Sequence, residues 1–159
     1  MYKVLFVCLG NICRSPAAEV IFNAALQEAG LEGAVTVDSC GTANYHTGQK
    51  PDRRMLAALE RAGYTYGGHR ARQFSRADFE RFDLIIPQDE SNRHDLVRLA
   101  RNNEEAARIV PMRKWFAAEE RRTEVPDPYY GGSDGFDDVV RLLGKAARNL
   151  AADIQARLQ

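Results

Sequence analysis

The stretch Cys8-Leu9-Gly10-Asn11-Ile12-Cys13-Arg14-Ser15 constrains this chain more than any other, because it lies between the apolar run Val4 to Val7 and a helical run that opens at Pro16. A short continuous β-prone run suits a buried parallel strand, and a proline fits the first turn of a helix, where its missing N–H has no partner. The local order is therefore strand, loop, helix. A tight loop that feeds a helix N-terminus turns backbone N–H groups inward and adds the positive end of the helix dipole, so it is suited to hold an anion.

The side chains indicate the chemistry. Cys8 sits where N–H groups and a guanidinium converge, an environment that holds a cysteine as its nucleophilic thiolate. Arg14 carries a planar fork of donors that matches two oxygens of a phosphoryl group. The Ser15 hydroxyl can donate to the thiolate and stabilise it as a leaving group. Gly10 permits close backbone approach, and Asn11 tolerates the left-handed conformation that such a loop requires. Leu9, Ile12 and Cys13 complete the phosphate-binding loop. Buried packing is the competing role for Cys8 and Cys13, and the flanking strand and Pro-led helix count against it.

With 159 residues, 45% of them hydrophobic, the chain is expected to form one domain over residues 1–159 with a proper core. Lys plus Arg and Asp plus Glu number 22 each, so no overall basic field favours nucleic acid or an anionic membrane, and anion specificity has to come from a local site. Three cysteines do not make a disulfide framework and fit a reducing compartment. The N-terminal apolar run is too short for a signal-peptide core or a membrane span, so a cytoplasmic location without membrane insertion is expected.

Further along, Pro16 to Gly30 has helical spacing with Ala17, Val20, Ile21, Ala24, Ala25 and Leu26 inward. Val35 to Ser39 alternates as a second strand, which closes a βαβ unit with the Cys8 loop at the C-terminal sheet edge where ligands of open α/β sheets bind. Cys40 to Lys50 is an irregular loop that can hang Tyr45 and His46 over the cradle. A second helix is expected from Pro51 to Gly63, with Met55, Leu56, Leu59 and Ala62 on one face, and a short capped helix at Ser75 to Asp78. Phe82 to Pro87 is the third strand, and Asp89-Glu90-Ser91-Asn92 starts a helix through Leu99 with acidic residues at its positive end. Ile109, Val110 and Met112 offer a short fourth strand. Arg121 and Arg122, in a charged stretch, are expected on a solvated face.

Val125-Pro126-Asp127-Pro128-Tyr129-Tyr130-Gly131-Gly132 is the second stretch with functional character. An Asp between two prolines is a rigidly aimed carboxyl, and the adjacent tyrosines make an aromatic wall; a Pro-Gly turn with two exposed tyrosines is the plainer alternative. Phe136 to Leu158 reads as a long amphipathic helix with Val139, Val140, Leu143, Ala147, Leu150 and Ile154 inward.

Val7 to Pro16 together with Asp127-Pro128-Tyr129-Tyr130 resembles the low-molecular-weight protein tyrosine phosphatases, and the resemblance runs essentially end to end. It extends to Asp38-Ser39, to the segment His69 to Gln73 and to Asp89 to Asn92. The resemblance implies a three-layer α/β fold, a central four-stranded parallel twisted sheet with helices on both faces and the phosphate loop after strand 1. It implies hydrolysis of phosphotyrosine and aryl phosphates through a cysteinyl-phosphate, without metal or other cofactor, on tyrosine-phosphorylated proteins. Residue by residue, Cys8 is the implied nucleophile, Arg14 the phosphate clamp and Asp127 the general acid and then base. Asn11, Ser15, Glu19, Ser39 and His69 match the polar network that supports the loop. Ile12, Tyr45, Tyr129 and Tyr130 match the cleft walls, while Tyr45 and His46 stand at variable positions that tune substrate choice. Cys13 is placed to trap an oxidised Cys8 as a disulfide. A monomer is the expected state. Pro87-Gln88 departs from the Met or Cys often found there.

Four other readings compete. Arsenate reduction needs a relay cysteine, and Phe82 to Asp95 has none. Phosphoarginine hydrolases resemble this chain but carry Thr where Ile12 stands. A zinc site from Cys8, Cys13, Cys40 and His69 lacks paired ligand spacing, and a phosphotyrosine-binding module without catalysis has no need of intact Cys8, Arg14 and Asp127.

Overall fold

The computed structural model describes residues 1–159. At its centre β1 (Tyr2–Cys8) pairs in parallel with β2 (Val35–Gly41) on one side and β3 (Leu84–Pro87) on the other, giving the order β2-β1-β3. The α-helices are α1 (Arg14–Glu28), α2 (Arg53–Arg61), α3 (Asp78–Arg81), α4 (Glu90–Leu99), α5 (Asn103–Ala107) and α6 (Ser133–Leu158), with a 3-10 turn at Met112–Trp115.

Strand alternation divides the core into two layers. Val4, Phe6, Leu84 and Ile86 join α1, α2 and α6 in a cluster of 30 buried residues, and Phe6 meets Phe22 edge to face at 5.6 Å between ring centroids. On the other face Leu5, Val7 and Ile85 pack with Phe74, Phe79 and Leu96 in a cluster of 8. Each fully buried large apolar side chain contributes about 1.5 to 3 kcal/mol, so the α1/α6 face supplies most of the hydrophobic stabilisation. The inward residues expected for the last helix are all buried in α6.

The three-layer α/β arrangement is as expected, but the fourth strand is reduced to one bridge, Ile85 to Ile109. Ile85 N–H donates to the Arg108 carbonyl at 2.8 Å and Val110 N–H to the Ile85 carbonyl at 3.0 Å. Pro111 then has no N–H to extend the ladder, and Met112 starts the 3-10 turn. Helix α1 begins at Arg14, which leaves Pro16 within the first turn, where N–H groups have no helical partner. It ends in a Schellman arrangement: Gly30, at φ 72, donates to Gln27 O and Leu31 N–H to Leu26 O. Val20 and Ala24 are only half-buried, because they face a cavity beside α1. In α2 the buried face runs through Met55, Ala58 and Leu59, while Ala62 is the exposed C-cap. Helix α5, not expected from the sequence, is capped by Asn102, whose side chain accepts from Glu105 N–H.

The register places Cys8 opposite Gly41 and Val7 opposite Pro87, so all three strands end at one level. The Cys8 loop, the segment after Gly41 and the Gln88-Asp89 turn meet there.

Candidate active site

The loop from Cys8 to Ser15 is held by buried polar bonds. Asn11, 1% exposed, is the one non-glycine residue with positive φ, at 58, and its side chain makes that conformation tenable. Asn11 Nδ2 donates to Ser15 Oγ at 2.8 Å and Ser39 Oγ at 3.0 Å, while Oδ1 accepts from Arg72 N–H at 3.0 Å. Because that backbone N–H fixes Oδ1 as the acceptor, His69 Nε2, 2.7 Å away, must carry hydrogen and donate to it. Ser39 Oγ donates to Glu19 Oε1 at 2.7 Å. The expected support residues Glu19, Ser39 and His69 therefore all join one network with Asn11 and Ser15.

Ser15 Oγ is 3.0 Å from Cys8 Sγ and 3.2 Å from the Cys40 carbonyl. Its single proton thus has two acceptors in reach. With Cys8 ionised, that proton is best used on the sulfur, where a hydrogen bond to a charged acceptor is roughly twice as strong as a neutral one.

Arg14 is 2% exposed. Its Nη1 donates to Asp89 Oδ2 at 2.6 Å and the Val125 carbonyl at 3.1 Å, and Nη2 lies 3.6 Å from Asp127 Oδ2. Asp127 is anchored by Tyr129 N–H, which donates to Oδ1 at 3.1 Å; Pro128 between them has no N–H to offer. Cys8, Arg14 and Asp127 line one cleft of about 110 Å³ together with Leu9, Gly10, Ile12, Cys13, Tyr45, His46, Tyr129 and Tyr130. All the cleft positions expected from the sequence therefore converge.

The cleft is aromatic at its mouth. Tyr129 stands edge to face with Tyr130 at 5.0 Å and 6.3 Å from the His46 ring, and the Arg54 guanidinium lies 5.3 Å from its centroid. Tyr45 and Tyr130 are 70% and 93% exposed, so they form the rim rather than a buried wall. Burial pushes the Cys13 thiol well above its usual pKa, with Asp52 adding to the effect, and burial likewise raises Cys40. Burial raises Glu19 to about 7 and lowers His69, against the opposing pull of Asp38.

Asp89, Arg72 and Gly41 are structural members of the site that the sequence does not assign to it. Asp89 reads there as a helix-start carboxylate, and it is indeed the N-cap of α4, bonded to Asn92 N–H. Its place directly after β3, at the same edge as Cys8, is the one available signal. Arg72 spans Asp38 and Asp78 while its backbone N–H holds Asn11. Gly41 backs the loop so closely that a Cβ would lie 2.6 Å from Leu9 O.

Fold and site together define a parallel α/β protein built around a Cys-to-Arg anion loop at the N-terminus of its first helix. The family model for low molecular weight phosphotyrosine protein phosphatases matches residues 3–159, and the chain belongs to this family. A Synechocystis sp. relative is 45% identical over 98% of each chain. The low molecular weight protein-tyrosine-phosphatase of Streptomyces coelicolor is 40% identical over 99% of this chain and 96% of its own. Among solved structures, a protein tyrosine phosphatase from Entamoeba histolytica superposes with a TM-score of 0.94 at 37% identity, covering 100% of both chains.

Proposed function

We propose that residues 1–159 act as one phosphatase domain that hydrolyses phosphotyrosine in proteins, and aryl phosphates, through a cysteinyl-phosphate, without metal or other cofactor in the chemical steps. The observation that carries this is the convergence of Cys8, Arg14 and Asp127 on a single cleft mouthed by aromatic rings. The Cys8 thiolate attacks phosphorus as the bond to the tyrosine oxygen breaks, and Asp127 delivers its proton to that oxygen. Arg14, held from behind by Asp89 and Val125, keeps Nη2 toward the cleft to pair with the phosphoryl oxygens. Asp127, now a carboxylate, takes a proton from water; the oxygen attacks phosphorus, the sulfur–phosphorus bond breaks, and Ser15 donates to the departing thiolate. Ile12 and Tyr129 flank the phenyl ring, with Tyr45, His46 and Tyr130 on the rim facing the protein substrate. No helix is long and apolar enough to cross a membrane. A cytoplasmic location fits the three free cysteines.

The test is kcat/KM on phosphotyrosine and on phosphoarginine. Cys8→Ser and Arg14→Lys should each abolish phosphotyrosine hydrolysis with the fold intact, because a serine oxygen is not ionised there and a lysine cannot make the two-pronged contact. Ile12→Thr should shift the ratio toward phosphoarginine by about 10-fold or more through lost apolar contact. A Cys8→Ser protein within about tenfold of wild type would refute a cysteine nucleophile, and wild-type preference for phosphoarginine would refute the substrate class.

A further inference from the structure

Asp127 makes no hydrogen bond outside its own turn: Tyr129 N–H donates to its Oδ1, and its one long-range ion pair, with Arg14 Nη2, spans 3.6 Å. The position of its carboxyl is therefore inherited from the residues on either side. Pro126 and Pro128 have fixed φ, and each restricts the residue before it to extended backbone. The run Val125 to Pro128 thus carries a displacement at one end along to Asp127 rather than absorbing it, and what holds Val125 holds Asp127.

Three successive residues of the turn after β3 do this, each through a different partner. The Gln88 carbonyl accepts from Val125 N–H at 2.9 Å. Asp89 accepts from Arg14 Nη1, which also donates to the Val125 carbonyl at 3.1 Å. Glu90 N–H donates to Glu124 Oε2, from 34 residues away in the chain. Glu124 is the only side chain between Thr123 and Pro128 that hydrogen-bonds to another element. Its bond is charge-assisted and sits at the positive end of α4, because Glu90 is the first residue of that helix. The Asp89 side chain is already used on Asn92 N–H, so Glu124 satisfies a helix donor that would otherwise have no protein partner.

We propose that Glu124 is a positioning residue for proton transfer: through the start of α4 it ties Asp127 to the same turn, Gln88 to Glu90, that fixes Arg14. The phosphate clamp and the acid then keep their spacing over the leaving group because both are held from one point of the sheet edge. Glu124 does not line the cleft and acts only through Asp127. The inference therefore rests on the reading of Asp127 as the general acid.

The experiment measures kcat/KM for phosphotyrosine and p-nitrophenyl phosphate in wild type, Glu124→Ala, Glu124→Gln, Asp127→Asn and the double variant Glu124→Ala/Asp127→Asn. Glu124→Ala should lower phosphotyrosine hydrolysis about tenfold, as a displacement short of the 1 Å that costs about 100-fold. It should leave the nitrophenyl ester, whose leaving group has little need of a proton, within about twofold of wild type. Glu124→Gln keeps an oxygen for Glu90 N–H and should recover most of the loss. In the Asp127→Asn background Glu124→Ala should cost nothing further, because no proton is left to aim. Glu124 is exposed, so thermal unfolding measured alongside should show little change in Tm. Equal losses on both substrates, or a loss undiminished in the Asp127→Asn background, would make Glu124 a structural residue of α4 and overturn the proposal. So would undiminished phosphotyrosine hydrolysis in Glu124→Ala while Asp127→Asn still separates the two substrates. Asp127→Asn that fails to separate them would refute the acid assignment itself, and the proposal with it.

Discussion

Asp89 Oδ2 lies 2.6 Å from Nη1 of Arg14, 75 residues apart in the chain, and this pair joins the end of β3 to the start of α1. The contact leaves Nη2 free to face the cleft, because Nη1 is already committed to Asp89 and the Val125 carbonyl. A clamp whose fork is preset loses little entropy on binding a phosphoryl group.

Asp89→Asn should therefore lower kcat/KM on phosphotyrosine by about 10- to 100-fold, the scale on which small misplacements in an active site act. Asn is as good an N-cap as Asp, so α4 should keep its cap and Tm should stay near wild type. Steady-state kinetics beside thermal unfolding check this. Wild-type kcat/KM in the variant would show that Arg14 is held without Asp89.

Asp127→Asn should separate substrates by leaving group. A tyrosine oxygen leaves poorly without a proton, so phosphotyrosine hydrolysis should fall by about 10² to 10⁴. An activated aryl phosphate such as p-nitrophenyl phosphate should lose far less. Rates across a series of substituted phenyl phosphates measure the contrast; equal losses at both ends of the series would remove Asp127 from proton transfer.

Much of the site is legible in the sequence where function and local chemistry coincide. A strand, a loop with Cys8 and Arg14, and a Pro-led helix fix their own geometry within a few residues, and Asp127 is marked by its two prolines. The long-range partners are hidden. Asp89 has a sufficient local role as a cap, Arg72 carries no local signal of its role, and only the register of β3 against β1 and the bridge of Gly41 to Gln73 bring them to the loop. The fourth strand shows the converse: Ile109 and Val110 have strand character, but Pro111 and the turn at Met112 end the pairing after one bridge.

The cysteines should differ sharply in reactivity. Burial pushes Cys13 and Cys40 above the usual thiol range, so both stay protonated and slow near pH 7. Iodoacetamide should label Cys8 alone, and inorganic phosphate should protect it. Mild peroxide should inactivate reversibly, and despite its raised pKa Cys13, five residues away in the same loop, should trap oxidised Cys8 as a disulfide with loss of water, because the sulfenic acid is held beside it far longer than a free thiol would meet it. Peptide mass spectrometry checks both, and reversible inactivation persisting in Cys13→Ala would leave Cys13 a packing residue only.

Gly41 supplies the strictest test of how the sheet shapes the loop. A Cβ there would sit 2.6 Å from Leu9 O and 3.1 Å from Asn11 N, both backbone atoms that cannot swing aside. Strand β2 cannot retreat either, since Gly41 is paired with Cys8, its N–H donates to Arg72 O at 2.8 Å and its carbonyl accepts from Phe74 N–H at 2.7 Å. Gly41→Ala must then displace the loop, at about 1 to 3 kcal/mol for overpacking, and with it the aim of Cys8. Gly33→Ala is the matched control, because Gly33 has φ 81 but nothing within 4 Å of the position an added methyl would take. It should cost about 1 to 2 kcal/mol through backbone strain alone. Both variants should lower Tm, but only Gly41→Ala should lower kcat/KM, by about 10²-fold for a loop shifted near 1 Å. If the two lose stability equally and both keep wild-type kcat/KM, the close approach of β2 to the loop has no bearing on its chemistry.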